Sequence, residues 1–210
     1  MPDPNPAKSR ERAQVRIIAG KWKSRRLIPA RDRAVRPTTD RVREAWMSIL
    51  APRIEGSAVA DLFAGSGALG LEALSRGASH VTFVERSRRA LQALRRNIRA
   101  LGADGDTTVV HGDALAHLAA LDPLRCDLAL ADPPYGRGYA SDLVSRFARR
   151  PFARELWVEH HVTDVLHSDI SLWQRRYGDT VLTAVALPHG AARDQDRLRR
   201  AATVPASRRS

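Results

Sequence analysis

The chain has 210 residues, 43% of them hydrophobic, which is enough for one domain with an extension and too short for two full domains with linkers. Its formal net charge is +12, and its one cysteine, Cys126, excludes a disulfide framework and a zinc site of paired cysteines; the apolar run around Cys126 predicts a buried structural thiol. No run approaches the roughly 20 apolar residues of a membrane helix, and residues 1–10 lack a secretory signal, so we expect a cytoplasmic protein with no membrane partner.

The N-terminal region is predicted to form an arm followed by a small extension. Residues 1–14 are polar and proline-rich, which predicts a disordered arm. Two short apolar runs around Gly20 then indicate a β-hairpin. From Thr39, apolar residues recur at helical spacing as far as Pro52, which we expect to end the helix. We therefore assign residues 15–52 to a hairpin and helix extension.

The region from residue 53 to 189 alternates short apolar runs with amphipathic segments. The predicted strands cover residues 58–63, 80–85, 107–111, 126–131 and 155–160. The predicted helices between them cover residues 68–77, 88–102, 114–121 and 142–150. This alternation predicts an α/β domain with a mostly parallel sheet and a cleft at the carboxyl ends of its strands. Two last apolar runs around Gly178 predict an antiparallel hairpin, which brings the sheet to seven strands. Residues 190–210 are predicted to be a flexible basic tail.

A glycine-rich loop, DLFAGSGALG, follows the first of these strands. Gly65 and Gly67 allow the backbone to approach a ligand closely and to turn into a helix. The spacing also fits a dinucleotide fingerprint, and a plain tight turn is the other alternative, so the glycines alone do not choose the ligand. Asp61, at the end of the strand, would repel a pyrophosphate but suits a cation such as an amino or sulfonium group.

Two further acids follow the next two strands. Glu85 ends the second strand, where a carboxylate can accept two hydrogen bonds from a ribose diol; the alternative is a surface acid. Asp113 follows the third strand and could meet an adenine amino group, cap the next helix, or do both. Acids at three successive strand ends would form a binding surface for an adenosine that carries a positive group. The sequence therefore favours S-adenosylmethionine over NAD as the cofactor.

The segment Asp132-Pro133-Pro134-Tyr135 follows the fourth strand, and its prolines stop the strand and stiffen the loop. An exocyclic amino group on a base is a poor nucleophile because its lone pair is delocalised into the ring. The Asp132 carboxylate and the Pro133 carbonyl could accept its two hydrogens and favour the nucleophilic form, while Tyr135 offers a face for stacking the base. The alternative is an ordinary proline-rich turn.

The excess positive charge lies at the two ends of the chain. Residues 1–44 hold 13 basic and 5 acidic side chains and residues 190–210 hold 6 and 2, whereas residues 45–189 hold 16 of each. A biased coding composition explains why arginine outnumbers lysine, but it does not explain this distribution. We expect a nucleic-acid partner. The predicted RNA contacts in and near the hairpin are Lys21, Lys23, Arg25, Arg26 and Arg36.

The stretches RIIAGK, RPTTDRVRE, DLFAGSGALGLEALSRGA, DPPY and YGDT resemble the bacterial 16S ribosomal RNA guanine-N2 methyltransferases of the RsmD family, over roughly residues 15–187. One departure is Trp46, which stands where the family is expected to have phenylalanine. The resemblance implies a class I Rossmann-like methyltransferase fold and S-adenosylmethionine as the cofactor. It implies cofactor contacts at Asp61, Phe63, Gly65, Gly67, Glu85 and Asp113. It also implies a methyl-transfer site at Asp132, Pro133 and Tyr135.

The expected reaction is therefore direct transfer of a methyl group to the 2-amino group of a guanine in 16S ribosomal RNA, within a small-subunit particle and without a metal. The nearest alternative is an amino-methyltransferase of another base in DNA or RNA, since DPPY does not choose between bases. An NAD-dependent oxidoreductase would leave DPPY unexplained. A non-catalytic RNA-binding module would not need both an intact glycine loop and DPPY.

Overall fold

The computed structural model describes residues 15–30, 40–120, 125–166, 168 and 170–187, with only the backbone at residues 40 and 41. The predicted arm at 1–14 and the predicted tail at 190–210 lie outside the described residues. None of the helices in the described part of the chain is long and apolar enough to cross a membrane.

A seven-stranded sheet forms the centre of the protein. Its strands are β1 (Ala58–Asp61), β2 (His80–Glu85), β3 (Thr107–His111), β4 (Cys126–Ala131), β5 (Ala153–His161), β6 (Trp173–Tyr177) and β7 (Thr180–Ala186). The order across the sheet is β3-β2-β1-β4-β5-β7-β6. The first five strands are parallel, and β7 runs antiparallel between β5 and β6. The predicted mostly parallel sheet with an antiparallel last hairpin is confirmed.

Helices cover both faces of the sheet. They are α1 (Asp40–Ile54), α2 (Ala68–Ser75), α3 (Arg88–Leu101), α4 (Ala114–Ala120) and α5 (Tyr139–Arg149). One apolar cluster packs α1, α2 and α3 against one face of the sheet, and a second packs α4 and α5 against the other. α5 begins three residues before the predicted Asp142, because Gly138 precedes it in the left-handed conformation (φ 74°) and lets the chain turn into the helix earlier.

The prediction that Pro52 ends the first helix is wrong, since α1 continues to Ile54. Pro52 lacks the N–H of a helical hydrogen bond, but it stands in the last turn, where tertiary contacts hold the chain. The Ile54 side chain is fully buried, and the Arg53 Nε atom lies 2.9 Å from Glu155 Oε1 of β5. Ser57 then closes the end by donating from both its N–H and its hydroxyl to the Ile54 carbonyl.

Residues 15–30 reverse direction as the predicted hairpin would, and their two arms meet at an isolated bridge between Arg16 and Arg26. The N–H groups of Ile17 and Leu27 donate across it to the carbonyls of Arg25 and Val15, each at 2.9 Å. The longer-range anchor of this segment is Glu72 of α2, a fully buried carboxylate that accepts hydrogen bonds from the N–H groups of Ile18 (2.6 Å) and Ala19 (3.0 Å). Glu72 also pairs with Arg76 at 2.7 Å. The segment is thus held both by its own backbone hydrogen bonds and by hydrogen bonds to α2.

Cys126 begins β4 and is partly buried, less than the buried thiol that the sequence predicts, because it lies at the first position of its strand. Its Sγ atom contacts the Phe152 carbonyl oxygen at 3.7 Å. Burial and the neighbouring Asp127 charge raise the pKa of the thiol to about 12, which keeps Cys126 protonated and unreactive.

Candidate active site

The carboxyl ends of four adjacent strands bring the predicted acids into one row. Asp61 ends β1, Glu85 ends β2, Asp113 follows β3 by two residues, and Asp132 follows β4 directly. Because these strands are neighbours in the order β3-β2-β1-β4, the three acids predicted to contact the cofactor lie at adjacent strand ends. Asp132 lies next to this group of acids, because it follows β4, which pairs with β1.

The glycine loop is open on the side where a ligand would approach. Gly65 has a φ of 54°, and a Cβ added there would meet no atom within 4 Å. Gly67 (φ 87°) begins α2, and a Cβ there would lie 2.5 Å from the Leu94 side chain, so this glycine is needed for packing against α3. The loop therefore combines a tight helix entry at Gly67 with an uncovered backbone at Gly65.

Asp61 is buried at the base of this loop, with only 1% of its surface exposed. Its Oδ2 atom accepts a hydrogen bond from the Gly70 N–H at 3.0 Å, whereas its buried Oδ1 atom has no hydrogen-bond partner among the described residues. Burial, reinforced by the Glu85 charge, raises the pKa of Asp61 from 3.8 to about 7. A buried acceptor without a partner fits a ligand that brings a positive group or a hydrogen-bond donor.

Glu85 and Asp113 have structural roles in addition to their predicted contacts. Glu85 accepts hydrogen bonds from the N–H groups of Gly65 (2.8 Å) and Ser87 (2.6 Å), and so ties the glycine loop to the start of α3. Asp113 accepts from the Ala116 N–H at 3.0 Å, which makes it the cap of α4 as one alternative predicted. Both side chains are half-buried, and each carboxylate has lone pairs beyond those that these bonds use.

Phe63 and the DPPY segment form the other wall of the cleft. The Phe63 ring packs against Tyr139 of α5 with centroids 5.2 Å apart. Pro133 is buried, Asp132 is half-buried, and Tyr135 is 38% exposed. A cavity of about 220 Å³ lies beside the segment, lined by residues 133–136, 138–141, 160 and 163–165.

The Tyr135 hydroxyl donates a hydrogen bond to Glu159 Oε1 at 2.7 Å and lies 3.3 Å from Thr180 Oγ1. Burial, with the Glu159 charge beside it, raises the pKa of Tyr135 above its ordinary value, so the phenol remains a donor. Glu159, on β5, is itself 2% exposed. Glu159 was not predicted as a site residue, and its hydrogen bond holds the Tyr135 ring in place on the cleft wall.

We expect Tyr135→Phe to lower the free energy of unfolding by about 1–3 kcal/mol, because the buried Glu159 carboxylate loses its phenol donor. Urea denaturation of both proteins measures the difference. Tyr139→Phe is the matched control, since its hydroxyl only accepts a 3.3 Å bond from the exposed Arg86. Equal stability of the Tyr135 variant and wild type would contradict the anchoring role of Glu159.

The basic residues predicted to bind RNA lie away from this cleft. The Lys21 N–H donates to the Ser75 carbonyl at the end of α2, and its Nζ atom is 3.9 Å from Asp106, just before β3. Arg25 donates to the Ala100 carbonyl near the end of α3. These partners mark the edge of the sheet where its parallel strands begin. Lys23 and Arg26 are exposed on the same segment, and Arg36 lies outside the described residues.

Comparison with known proteins places the chain in a family. A family model described as conserved hypothetical protein 95 matches residues 15–185. The chain belongs to this family, the RsmD family. The resemblance that the sequence motifs indicated is thus confirmed. Within the part of this RsmD-family chain that the structure describes, no group of three or more His, Cys, Asp or Glu side chains could hold a metal ion.

Curated relatives in the RsmD family carry a methyltransferase name. The chain is 42% identical over 132 residues to ribosomal RNA small subunit methyltransferase D of Escherichia coli, which covers 63% of this chain and 66% of the relative. The enzyme of the same name from Haemophilus influenzae is 37% identical over 136 residues, covering 64% and 70%. The chain therefore spans about two thirds of the length of these relatives.

A solved structure extends the match to most of the chain. The Escherichia coli protein yhhF, assigned as a methyltransferase, has a TM-score of 0.70 and 35% sequence identity, over 81% of this chain and 96% of that one. The fold of this RsmD-family chain is accordingly the class I Rossmann-like methyltransferase fold that the motifs predicted.

Proposed function

We propose that this protein transfers a methyl group from S-adenosylmethionine to the 2-amino group of a guanine in 16S ribosomal RNA, in the cytoplasm. The observation that carries the proposal is the pairing of β1 and β4, which sets Asp61 and the glycine loop beside the DPPY segment. The RsmD-family relatives named as small-subunit ribosomal RNA methyltransferases support the choice of RNA.

The residues at the cleft fit S-adenosylmethionine, which would supply an electrophilic methyl group on a positively charged sulfur. The unpartnered Asp61 Oδ1 atom is an acceptor for a positive group, and the uncovered backbone at Gly65 leaves room for a ligand close to the loop. In this proposal Glu85 would accept from ribose hydroxyls and Asp113 from an adenine amino group, since both carboxylates are half-buried and have lone pairs to spare. The acids repel a pyrophosphate, which disfavours a dinucleotide in the same place.

Asp132 and Pro133 would prepare the amino group of the base. The Asp132 carboxylate and the Pro133 carbonyl can each accept one amino hydrogen, which draws the nitrogen lone pair out of conjugation with the ring. Pro133 is buried, so its carbonyl is held by a rigid backbone rather than by a mobile loop. Asp132 can then receive the proton that the amino group loses when the nitrogen–carbon bond forms.

Tyr135 would hold the base by stacking. The residue is 38% exposed and its hydroxyl is fixed by Glu159, which holds the ring in one orientation. The adjacent cavity of about 220 Å³ is lined in part by Pro133, Pro134 and Tyr135. A base swung out of its RNA strand could therefore stack on Tyr135 with its amino group toward Asp132.

The test is methyl transfer by the purified full chain from tritiated S-adenosylmethionine to 16S ribosomal RNA and to small subunits, both from a strain lacking this protein. We expect label in N2-methylguanosine after digestion to nucleosides. Label in adenine or cytosine nucleosides would overturn the assignment of guanine. Absence of label with both substrates would overturn the proposed reaction.

The high pKa of Asp61 predicts how cofactor binding depends on pH. A positive ligand favours the ionised carboxylate, so below pH 7 binding must displace a proton from Asp61. We expect the affinity for S-adenosylmethionine to rise about tenfold per pH unit between about pH 5 and 7 and to level off above the Asp61 pKa. Isothermal titration calorimetry at several pH values measures this.

The matched variant is Asp61→Asn, which cannot titrate. It should bind S-adenosylmethionine more weakly at pH 8 and lose the slope between pH 5 and 7. Titrations at pH 6 in two buffers of different ionisation enthalpy count the displaced proton directly. A wild-type protein that releases no proton on binding at pH 6 would remove Asp61 from the cofactor site.

A further inference from the structure

Helix α3 carries a one-sided arginine surface. Its sequence, RRALQALRRNIRAL, contains five arginines and no acid. All five are exposed, whereas the alanines, leucines and isoleucine at positions 90, 91, 93, 94, 98 and 101 are buried. We call the following set the α3 arginine face: Arg88, Arg89, Arg95, Arg96 and Arg99.

This arrangement works against the stability of the helix. Arg88 and Arg89 occupy the first turn, where the helix dipole is positive and acids are the favourable residues. Arg99 is four residues from Arg95 and three from Arg96, spacings at which like charges repel. Arg99 alone is favourably placed for the dipole, because it lies in the last turn. The charges of the first turn and the like-charge spacings do not help folding, whereas a negatively charged partner would account for them.

The α3 arginine face also has no acidic partner among the residues that the structure describes. Across the described parts of the chain, no guanidinium group of these five arginines forms an ion pair or a hydrogen bond. Three other arginines differ, since Arg53, Arg76 and Arg154 each pair with an acid at 3.1 Å or less. The donors of the α3 arginine face are therefore directed to solvent and available to phosphate groups.

The position of α3 connects two distant features. Its first turn follows Ser87, whose N–H donates to Glu85 in the cleft. Its last turn receives the hydrogen bond from Arg25 to Ala100, at the opposite edge of the sheet. A helix of 14 residues spans about 20 Å, which is the distance of several nucleotides along a strand.

We propose that the α3 arginine face is the track along which the RNA backbone runs from the cleft to the basic N-terminal segment. This inference rests on the proposed function, because it takes ribosomal RNA as the substrate. It gives Lys21 and Arg25 a place in the RNA site although they lie far from the reacting base. The contact is to phosphates, so it positions the RNA without reading its sequence.

The test compares the full-length wild type with two triple variants of equal charge change. Arg95→Gln, Arg96→Gln and Arg99→Gln together alter the α3 arginine face. Arg146→Gln, Arg149→Gln and Arg150→Gln together alter exposed arginines at the end of α5, on the other face of the sheet. Filter binding of transcribed 16S ribosomal RNA is measured from about 50 to 300 mM KCl, a range over which phosphate contacts determine affinity.

We expect the α3 variant to bind RNA about tenfold more weakly at low salt and to flatten the salt slope by up to about 2, at about 0.7 for each phosphate that is no longer bound. The α5 variant should retain the wild-type slope. Equal slopes for the α3 variant and wild type would overturn the inference, as would equal losses in the two triple variants. Methyl transfer by the wild type is scored separately, so a failure of the proposed function is distinguishable.

A second variant separates a loss of RNA binding from a folding defect. Arg88→Gln with Arg89→Gln removes two charges from the unfavourable end of the helix dipole, so its thermal midpoint should equal or exceed that of wild type. Its RNA affinity should nevertheless fall. A variant with unchanged RNA affinity would contradict the inference, because a purely structural role would affect stability alone.

Discussion

Asp132→Asn is expected to lower the rate of methyl transfer by about 10²–10³-fold, while S-adenosylmethionine binds nearly as well as to wild type. The substitution replaces the carboxylate, one of the two proposed acceptors for the amino hydrogens, with a neutral amide. The amide also cannot take up the proton that the amino group releases. Asp132 follows β4, whereas the predicted cofactor contacts lie at or after the ends of β1, β2 and β3. The effect should therefore appear in turnover and spare cofactor affinity.

Single-turnover transfer to 16S ribosomal RNA at saturating cofactor measures the rate, and calorimetry measures cofactor affinity. Asp127→Asn is the matched control, because Asp127 lies on the same strand at its other end, where its carboxylate accepts from the Ala58 N–H and pairs with Arg154. The control should retain turnover. An Asp132 variant with near-normal turnover would refute the proposed polarising role.

Glu72→Ala is expected to lower the free energy of unfolding by about 3–5 kcal/mol. The fully buried carboxylate accepts from the N–H groups of Ile18 and Ala19 and from Arg76, and all three donors lose their partner together. Because these bonds tie residues 15–30 to α2, this segment should detach from α2 at a lower urea concentration than the one that unfolds the sheet.

Urea denaturation gives the change in stability, with Glu55→Ala as the control for loss of an exposed acid. We expect the control to change stability by less than about 0.5 kcal/mol. Adding Arg76→Ala to Glu72→Ala should cost less than the sum of the two single changes, since they remove one interaction. A Glu72 variant whose free energy of unfolding lies within about 1 kcal/mol of that of wild type would show that other contacts hold residues 15–30 in place.

The fold was predictable because each central element has a clear period. β2 reads as an apolar strand, α3 shows helical spacing with Ser87 and Gly102 as its caps, and the Tyr177–Gly178–Asp179 turn marks the last hairpin. Pro52 was misjudged because the local rule for proline ignores the ion pair and the buried isoleucine that follow it. Tertiary contacts of this kind have no local sequence signal.

The strand-end acids were also predictable, since parallel strands place their carboxyl ends at one edge. The roles of Glu72 and Glu159 were not, because each depends on a partner 24 or more residues away in sequence. A signal for Glu72 does exist: it is a charged residue between Leu71 and Ala73 on a helix buried on nearly every side. A buried acid in such a place requires donors from elsewhere in the chain.

The α3 arginine face was not predicted, because the charges were counted over long segments rather than over single helices. Residues 45–189 have no net charge, so the segment count assigned the basic character to the chain ends. Helical spacing applied to charges rather than to apolar residues would have found it, since Arg88, Arg95 and Arg99 recur at intervals that share one side of a helix.

The antiparallel β7 has a consequence for the order in which the protein can assemble during synthesis. β6 is made before β7, yet β7 is its only neighbour in the described sheet, so β6 cannot join the sheet until residues 180–186 have been added. Thr180, the first residue of β7, also stands beside the Tyr135 hydroxyl. A nascent chain that ends before this strand would thus contain the glycine loop but lack the β7 residue that stands beside Tyr135 in the cleft wall.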